Sequence, residues 1–173
     1  IRVDIQPVAS LDRLVGRYPD LAQQVPALNV PLWLVLDRLD DYFEVTGGWA
    51  ATPDVGSARE HTRSLLGEFA SEHGVVDLDA LTEAVAMPDA EFREWLNWCG
   101  FEIYEGHVLT RTRSVGDHAA GLLAIAGHPL SVETILHQMG KERSLRSVAN
   151  ALAGDERFVR ADKTTWALAG WGV

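Results

Sequence analysis

The sequence has little cysteine and no long apolar run. Cys99 is the one cysteine among 173 residues, so an internal disulfide is excluded and a reducing compartment is indicated. No stretch approaches the roughly 20 apolar residues that a membrane-spanning helix needs, so we expect no membrane partner. The chain shows no signal peptide and begins at Ile1 rather than at Met, so we expect a fragment or processed product of a larger protein.

Motifs of the common catalytic and nucleotide-binding sites are also missing. The chain contains no GxSxG, HExxH, Walker or GxGxxG sequence. Its six histidines show no metal-ligand spacing, and Cys99 lies on the apolar stripe of a predicted helix, where we expect a buried small hydrophobe. The sequence therefore predicts no enzyme, metal or cofactor, and an enzyme fragment is the least favoured alternative.

Acidic residues outnumber basic ones, but unevenly along the chain. The composition is 47% hydrophobic and 23% charged, which is typical of a globular protein, and the net charge is −10. Residues 1–113 contain 9 Lys and Arg against 19 Asp and Glu, whereas residues 114–173 contain 6 of each. A net charge of −10 argues against nucleic acid as a partner for the whole surface. The C-terminal third is the region where a basic face could form.

The stretch from Ser131 to Gly170 has the pattern of a winged helix-turn-helix. Ser131 is a good N-cap for a helix with Val132, Ile135, Leu136 and Met139 on one face and Gly140 at its end. Ser144 then begins a second helix, whose predicted inner stripe is Leu145, Val148, Ala149 and Leu152, and Gly154 closes it. Two predicted strands follow across a turn, Phe158–Arg160 and Thr165–Leu168. Two helices and a hairpin in this order predict a winged helix-turn-helix.

The polar face of the second helix, the turn before it and the hairpin supply the candidate DNA contacts. Arginine can bind guanine, asparagine can bind adenine, and cations near the hairpin can bind the phosphate backbone. The bland alternative is an amphipathic helix with an ordinary solvated face. The predicted DNA-binding residues are Lys141, Arg143, Ser144, Arg146, Ser147, Asn150, Arg160 and Lys163.

The hairpin has counterparts earlier in the chain. FEVTGGWAAT from Phe43 and FEIYEGHVLT from Phe101 align without a gap, and Phe43, Phe101 and Phe158 are 58 and 57 residues apart. A fixed period of this kind indicates an array of one repeated unit. We expect the third hairpin to be longer by two residues at its turn, so that Trp166 corresponds to Trp49. The predicted fold is mainly α with small β-hairpins (α+β), in three tandem winged-helix units: segment 1 (1–54), segment 2 (55–113) and segment 3 (114–173).

The first two segments differ from the third on their polar faces. Segment 2 is predicted to expose a mostly acidic helix face, which would repel phosphate: Asp89, Glu91, Arg93, Glu94 and Asn97. Segment 1 is predicted to expose Trp33 and Leu34, which would pack against a neighbour. Segments 1 and 2 are therefore interpreted as scaffold or protein-contact modules, and segment 3 as the DNA reader.

The C-terminal 45 residues resemble the HARE-HTH group of winged-helix domains, found beside restriction endonucleases and in the RNA polymerase delta subunit. The resemblance is carried by Gly127-His128-Pro129-Leu130, Arg143-Ser144-Leu145-Arg146, Asp155–Arg160 and Trp166–Gly172. It covers about a quarter of the chain. The resemblance implies DNA binding, in some members with sensing of modified bases, through Arg143, Arg146, Asn150, Arg160 and Lys163.

These observations favour a double-stranded DNA-binding module of a larger bacterial protein, cytoplasmic and nucleoid-associated. Recognition of a modified base such as 5-methylcytosine is a refinement, since a 5-methyl group needs an apolar contact, for which Trp166 or Trp171 is the candidate. The alternative function is a protein-protein interaction scaffold built from winged helices, which the acidic segments 1 and 2 and the predicted exposure of Trp33 support.

Overall fold

The computed structural model describes residues 7–20, 44–140 and 143–172. Within these ranges the chain forms seven α-helices and three antiparallel sheets of three strands each. The protein is therefore an α+β protein, as the sequence predicts. Packing divides the chain into two compact units, Ile1–Leu65 and Leu66–Val173, and the second lies entirely within segments 2 and 3.

The N-terminal compact unit contains one sheet, in the strand order β1-β3-β2. The Ser10 hydroxyl accepts a hydrogen bond from the Arg13 amide at 3.1 Å and so begins the first helix. Ala9, Leu14 and Ala50 are buried together between this helix and the sheet. The elements are β1 (Val8–Ser10), α1 (Leu11–Arg17), β2 (Glu44–Thr46) and β3 (Trp49–Ala51). Trp33, Leu34 and Phe43 lie outside the described residues.

The inner face formed by Ala58, Leu65, Leu66 and Phe69, with Gly74 after it, predicts a helix from Ser57 to about His73. Helix α2 (Val55–Phe69) begins and ends earlier than this. Asp54, rather than Ser57, begins it, because the Asp54 carboxylate accepts from the Ser57 amide at 2.7 Å. Gly74, the predicted end, instead lies at positive φ in the turn before the next strand. Phe69, predicted to face inward, is 40% exposed because it is the last residue of the shortened helix.

The second sheet has the strand order β4-β6-β5. The Asp77 carboxylate accepts from the Asp79 amide at 2.9 Å and begins a short helix, while Gly100 follows the longer helix at positive φ. Cys99 is half-buried at the C-cap rather than buried on the stripe, since that stripe ends one turn earlier at Trp95 and Leu96. The elements are β4 (Val75–Asp77), α3 (Leu78–Ala84), α4 (Asp89–Trp98), β5 (Glu102–Tyr104) and β6 (His107–Leu109).

The third sheet has the strand order β7-β9-β8. Serine side chains begin all three helices around it, at Ser114, Ser131 and Ser144, and the two hairpin strands match their predicted bounds. The elements are α5 (Val115–Ala126), β7 (Leu130–Ser131), α6 (Val132–Met139), α7 (Leu145–Ala153), β8 (Phe158–Arg160), β9 (Thr165–Leu168) and a 3-10 turn, Ala169–Trp171. Their shared core includes Leu123, Ile135, Val148, Leu152 and Phe158.

The three sheets share one plan. In each, a lone strand ends at the N-cap of a helix and pairs with the second strand of a hairpin. The cap residues Ser10, Asp77 and Ser131 pair with Trp49, His107 and Thr165. Thr165, and not Trp166, therefore corresponds to Trp49, and the third hairpin is longer by one residue rather than two.

The first two hairpins are superimposable in register. Both have two-residue turns, Gly47-Gly48 and Glu105-Gly106, with positive φ at both positions, as type I′ turns require. The same alignment places Phe101 and Phe158 in equivalent positions, one residue before Glu102 and Val159. Phe158 is buried and Phe101 is half-buried.

Candidate nucleic-acid interface

Helix α7 presents a polar face to solvent. Ser144 begins the helix, its hydroxyl accepting from the Ser147 amide at 3.2 Å. Val148 and Leu152 are fully buried, which fixes the rotation of the helix. Arg146, Ser147 and Asn150 consequently lie on the exposed side, as the periodicity predicts.

Leu145 does not lie in the core, contrary to its predicted place on the inner stripe. It is 44% exposed, although it is in phase with Val148 and Leu152. Side chains on a helix lean toward its N-terminus, so a residue at the first helical position extends past the layer that the following turns pack against. The apolar period gives the direction of this side chain correctly but not its burial.

The wing, defined as β8, β9 and the turn between them, is held by an aspartate and an aromatic ring. The Asp162 carboxylate accepts from the Thr164 amide at 2.7 Å and the Thr165 amide at 2.9 Å, and these bonds lower the pKa of Asp162 to about 2. The Arg160 guanidinium lies over the Trp166 ring, with its carbon 5.1 Å from the ring centroid. Lys163 is exposed within the turn.

An open groove of about 190 Å³ lies between the wing and helices α6 and α7. It brings Arg160 and Lys163 of the wing next to Leu145 and Ala149 of α7, with Glu133 as the acidic group at its edge. Arg146, Ser147 and Asn150 are on α7 but do not line the groove. The full lining is Val132, Glu133, Leu145, Ala149, Arg160, Lys163, Thr164 and Trp166.

Four of the described cations of segment 3 fall into two groups. Arg157 bridges two acids, with Nη1 2.7 Å from Asp117 and Nη2 2.6 Å from Asp155, and these bonds lower the pKa of both carboxyl groups. Arg146, Arg160 and Lys163 form no ion pair in the described part of the chain. This second group is therefore available to an anionic partner.

Two of the predicted DNA-contacting side chains, those of Arg143 and Ser144, form hydrogen bonds within the protein. The Arg143 side chain donates through Nη2 to the Arg113 carbonyl oxygen at 3.4 Å and is half-buried. The Ser144 hydroxyl is engaged in the helix cap. Lys141 lies outside the described residues.

The corresponding helix of segment 2, α4, carries an acidic face. Asp89, Glu94 and Asn97 are exposed, and Arg93 is paired with Asp89 at 2.8 Å. Glu91, predicted to be exposed, is buried, at 8% exposure. Glu94 carries an exposed negative charge, and the Asp89–Arg93 pair leaves no free cation among these residues, so this face is unsuited to phosphate.

The hairpin of segment 2 is packed against segment 3 instead of standing free. Glu102 Oε2 lies 3.3 Å from Nε2 of His118, a fully buried residue of α5, and the Gln138 amide of α6 donates to the Tyr104 hydroxyl. Leu109 belongs to the same core as α5, α6 and α7. Sequence reasoning missed His118, although its place on a mostly apolar helix was a signal for burial.

No group of three His, Cys, Asp or Glu side chains suited to a metal ion occurs among the described residues. A membrane-crossing helix is likewise not found in the described ranges. Among known proteins, no family model matches the chain, and no curated protein matches it. The resemblance to the HARE-HTH group therefore stays a prediction from the sequence.

Proposed function

We propose that this chain is a non-catalytic array of three winged helix-turn-helix units that binds double-stranded DNA through segment 3. The shared strand order of the three sheets supports the array, since each sheet joins a lone strand, the helix that it caps and a hairpin. In a winged helix the second helix of the pair enters the major groove and the wing contacts the backbone. Helix α7 and the strands β8 and β9 would take these roles.

The groove between α7 and the wing carries the proposal. It gathers Arg160 and Lys163 on one side of α7, and the exposed Arg146 and Asn150 lie on the same helix. Cations without acidic partners are suited to phosphate, and the side chains of arginine and asparagine are suited to guanine and adenine edges. The acidic face of α4 favours segment 3 over segment 2 as the reader.

The test is duplex binding by the whole chain over a salt series. Neutralising phosphates releases counterions, so the logarithm of the binding constant should fall linearly with the logarithm of salt concentration. Replacing both Arg160 and Lys163 by alanine should lower the slope by about two. Arg93→Ala is the matched control, because this arginine is paired with Asp89 on an acidic helix. A slope that is the same in all proteins would contradict the proposal.

We include recognition of a modified base, such as 5-methylcytosine, in this proposal. Trp166 is unsuited to the methyl contact, because it is 7% exposed and Arg160 covers its ring. Trp171 is half-buried. Matched methylated and unmethylated duplexes test this refinement: equal affinities would remove it and leave the DNA-binding proposal in place.

A protein-interaction scaffold is the second candidate function. The net charge of −10 and the 40% exposure of Phe69 favour it. Non-specific DNA affinities are typically about 10⁻⁴–10⁻⁶ M at physiological salt. A chain that binds duplex DNA no more tightly than this even at low salt would favour the scaffold.

A further inference from the structure

Leu145 is a large apolar side chain placed where the proposed function needs polar contacts. Only Phe69 and Leu145 are large hydrophobic residues with substantial exposure in the described ranges, at 40% and 44%. Leu145 is the first residue of α7 and lines the groove beside the wing. An exposed leucine at this position requires an apolar partner if it is to contribute to binding.

The neighbours of Leu145 indicate what kind of partner this is. Arg160 and Lys163 line the same groove, and Arg146 is next in sequence and exposed. None of these three cations forms an ion pair with an acid in the part of the chain that the structure describes. A partner that fits them is a polyanion, and it must also offer an apolar group within reach of the N-terminus of α7.

Duplex DNA offers one such group in the major groove, the methyl group on carbon 5 of a pyrimidine. Ordinary DNA carries it on thymine. The N-terminal residues of a recognition helix contact base edges, and Leu145 holds the first position of α7. Ala149, one turn later, extends the apolar surface along the same side of the groove.

Resting on the proposed DNA-binding function, we infer that Leu145 is a specificity-determining residue that contacts the 5-methyl group of a pyrimidine. Arg160 and Lys163 hold the backbone and bring α7 into the major groove. Leu145 then selects a base pair that carries the methyl group, while Arg146 and Asn150 bond to neighbouring base edges. Removing one methyl group from this contact should lower affinity about fourfold, which corresponds to the transfer free energy of one buried methylene.

The experiment removes the methyl group from the DNA and its partner from the protein. In a duplex that the whole chain binds, each thymine is replaced in turn by deoxyuridine, which lacks only the methyl group. We expect an affinity loss of about fourfold at one or two positions for the unaltered chain and no loss at those positions for Leu145→Ala. Phe69→Ala, the other exposed apolar side chain, is the matched control and should keep the full loss.

Further measurements identify the base that carries the methyl group and distinguish failure of the Leu145 inference from failure of the DNA-binding proposal. Cytosine and 5-methylcytosine at the sensitive position show whether the methyl group alone is recognised. Thermal unfolding of Leu145→Ala should match that of the parent, since the side chain is exposed. If deoxyuridine lowers affinity equally in both proteins, or in neither, the inference is wrong while DNA binding stands. If the unaltered chain binds no duplex, both proposals are overturned.

Discussion

The guanidinium of Arg160 lies over the indole of Trp166, 5.1 Å from the ring centroid, and this contact joins the two strands of the wing on its groove side. The two residues face each other across the sheet as a register pair. Because Trp166 is buried beneath it, the arginine is held at the groove while its charge stays at the surface. A cation–π contact at an exposed site contributes about 0.5–1 kcal/mol.

Arg160→Ala should therefore weaken binding to every duplex by a similar factor and lower the salt slope by about one, since one phosphate contact is lost. Arg160→Lys keeps the charge and should keep most of the slope, although it loses the planar stacking surface. Both are measured by anisotropy of a labelled duplex over a salt series. An unchanged slope in Arg160→Ala would show that the wing does not reach the backbone.

The orientation of α7 can be tested by two substitutions on the same helix. Leu152→Ala should lower the free energy of unfolding by about 2–5 kcal/mol, because it leaves a cavity under a fully buried side chain. Asn150→Ala, on the exposed side, should change it by less than about 0.5 kcal/mol. Urea unfolding of the two variants and the parent gives the comparison. Equal losses would mean that the helix is rotated from the position described here.

Periodicity and capping residues were sufficient to predict most of segment 3. Local sequence signals correctly predict the helix that Ser144 begins and the two hairpin strands, Phe158–Arg160 and Thr165–Leu168. The lone strands β1, β4 and β7 were missed, because each has two or three residues and is defined by its pairing partner rather than by its own sequence. The predicted two-residue insertion in the third hairpin was wrong for a related reason, since strand pairing sets the register.

The candidate site was predicted in part. The exposure of Arg146, Ser147 and Asn150 follows from the helical period, but the groove depends on how the wing and α7 come together. Leu145 shows most clearly where prediction from periodicity fails. Its spacing from Val148 and Leu152 is that of a core residue, but its position at the helix end leaves it exposed. The packing of Glu102 on His118 joins two predicted segments, and no local pattern contains that information.

Two helical glycines provide a matched test of the packing of α5. A Cβ at Gly121 would lie 2.8 Å from a side-chain carbon of the buried Leu109, whereas a Cβ at Gly67 in α2 would meet nothing within 4 Å. Gly67→Ala should raise the free energy of unfolding by about 0.5–1 kcal/mol through helix propensity. Gly121→Ala should lower it by about 1–3 kcal/mol, because overpacking exceeds that gain. Thermal melts measure both, and stabilisation by both would disprove the close contact with Leu109.

The Arg157 bridge predicts an acid-sensitive contribution to stability. Arg157 lowers the pKa of Asp117 and Asp155 below the usual value of 3.8. A carboxyl group whose pKa is lower in the folded state stabilises that state above its unfolded pKa, and the contribution is lost as pH falls through the folded value. As the pH is lowered from neutral to below about 4, the free energy of unfolding should therefore fall less for Arg157→Met than for the parent. Parallel pH profiles for the two proteins would contradict this.

Backbone positioning and base recognition can be separated by two substitutions at the start of α7. Arg146, the second residue of α7, is exposed. Arg146→Ala should therefore cost about 1–3 kcal/mol of binding free energy and relax discrimination between duplexes. Arg143 lies before the Ser144 cap, at the helix end whose amides and dipole favour an anion. Its replacement by alanine should weaken all duplexes alike and lower the salt slope by about one.

Arg93→Ala is the control for both substitutions, because Arg93 is paired with Asp89 on the acidic helix α4 and should contribute little to binding. Affinities of the three variants for two unrelated duplexes over a salt series distinguish the roles. A sequence-dependent loss for Arg146→Ala with a uniform loss for Arg143→Ala supports α7 as the recognition helix. If Arg93→Ala abolishes binding while Arg146→Ala leaves it intact, segment 2 is the reader, and the assignment to segment 3 is wrong.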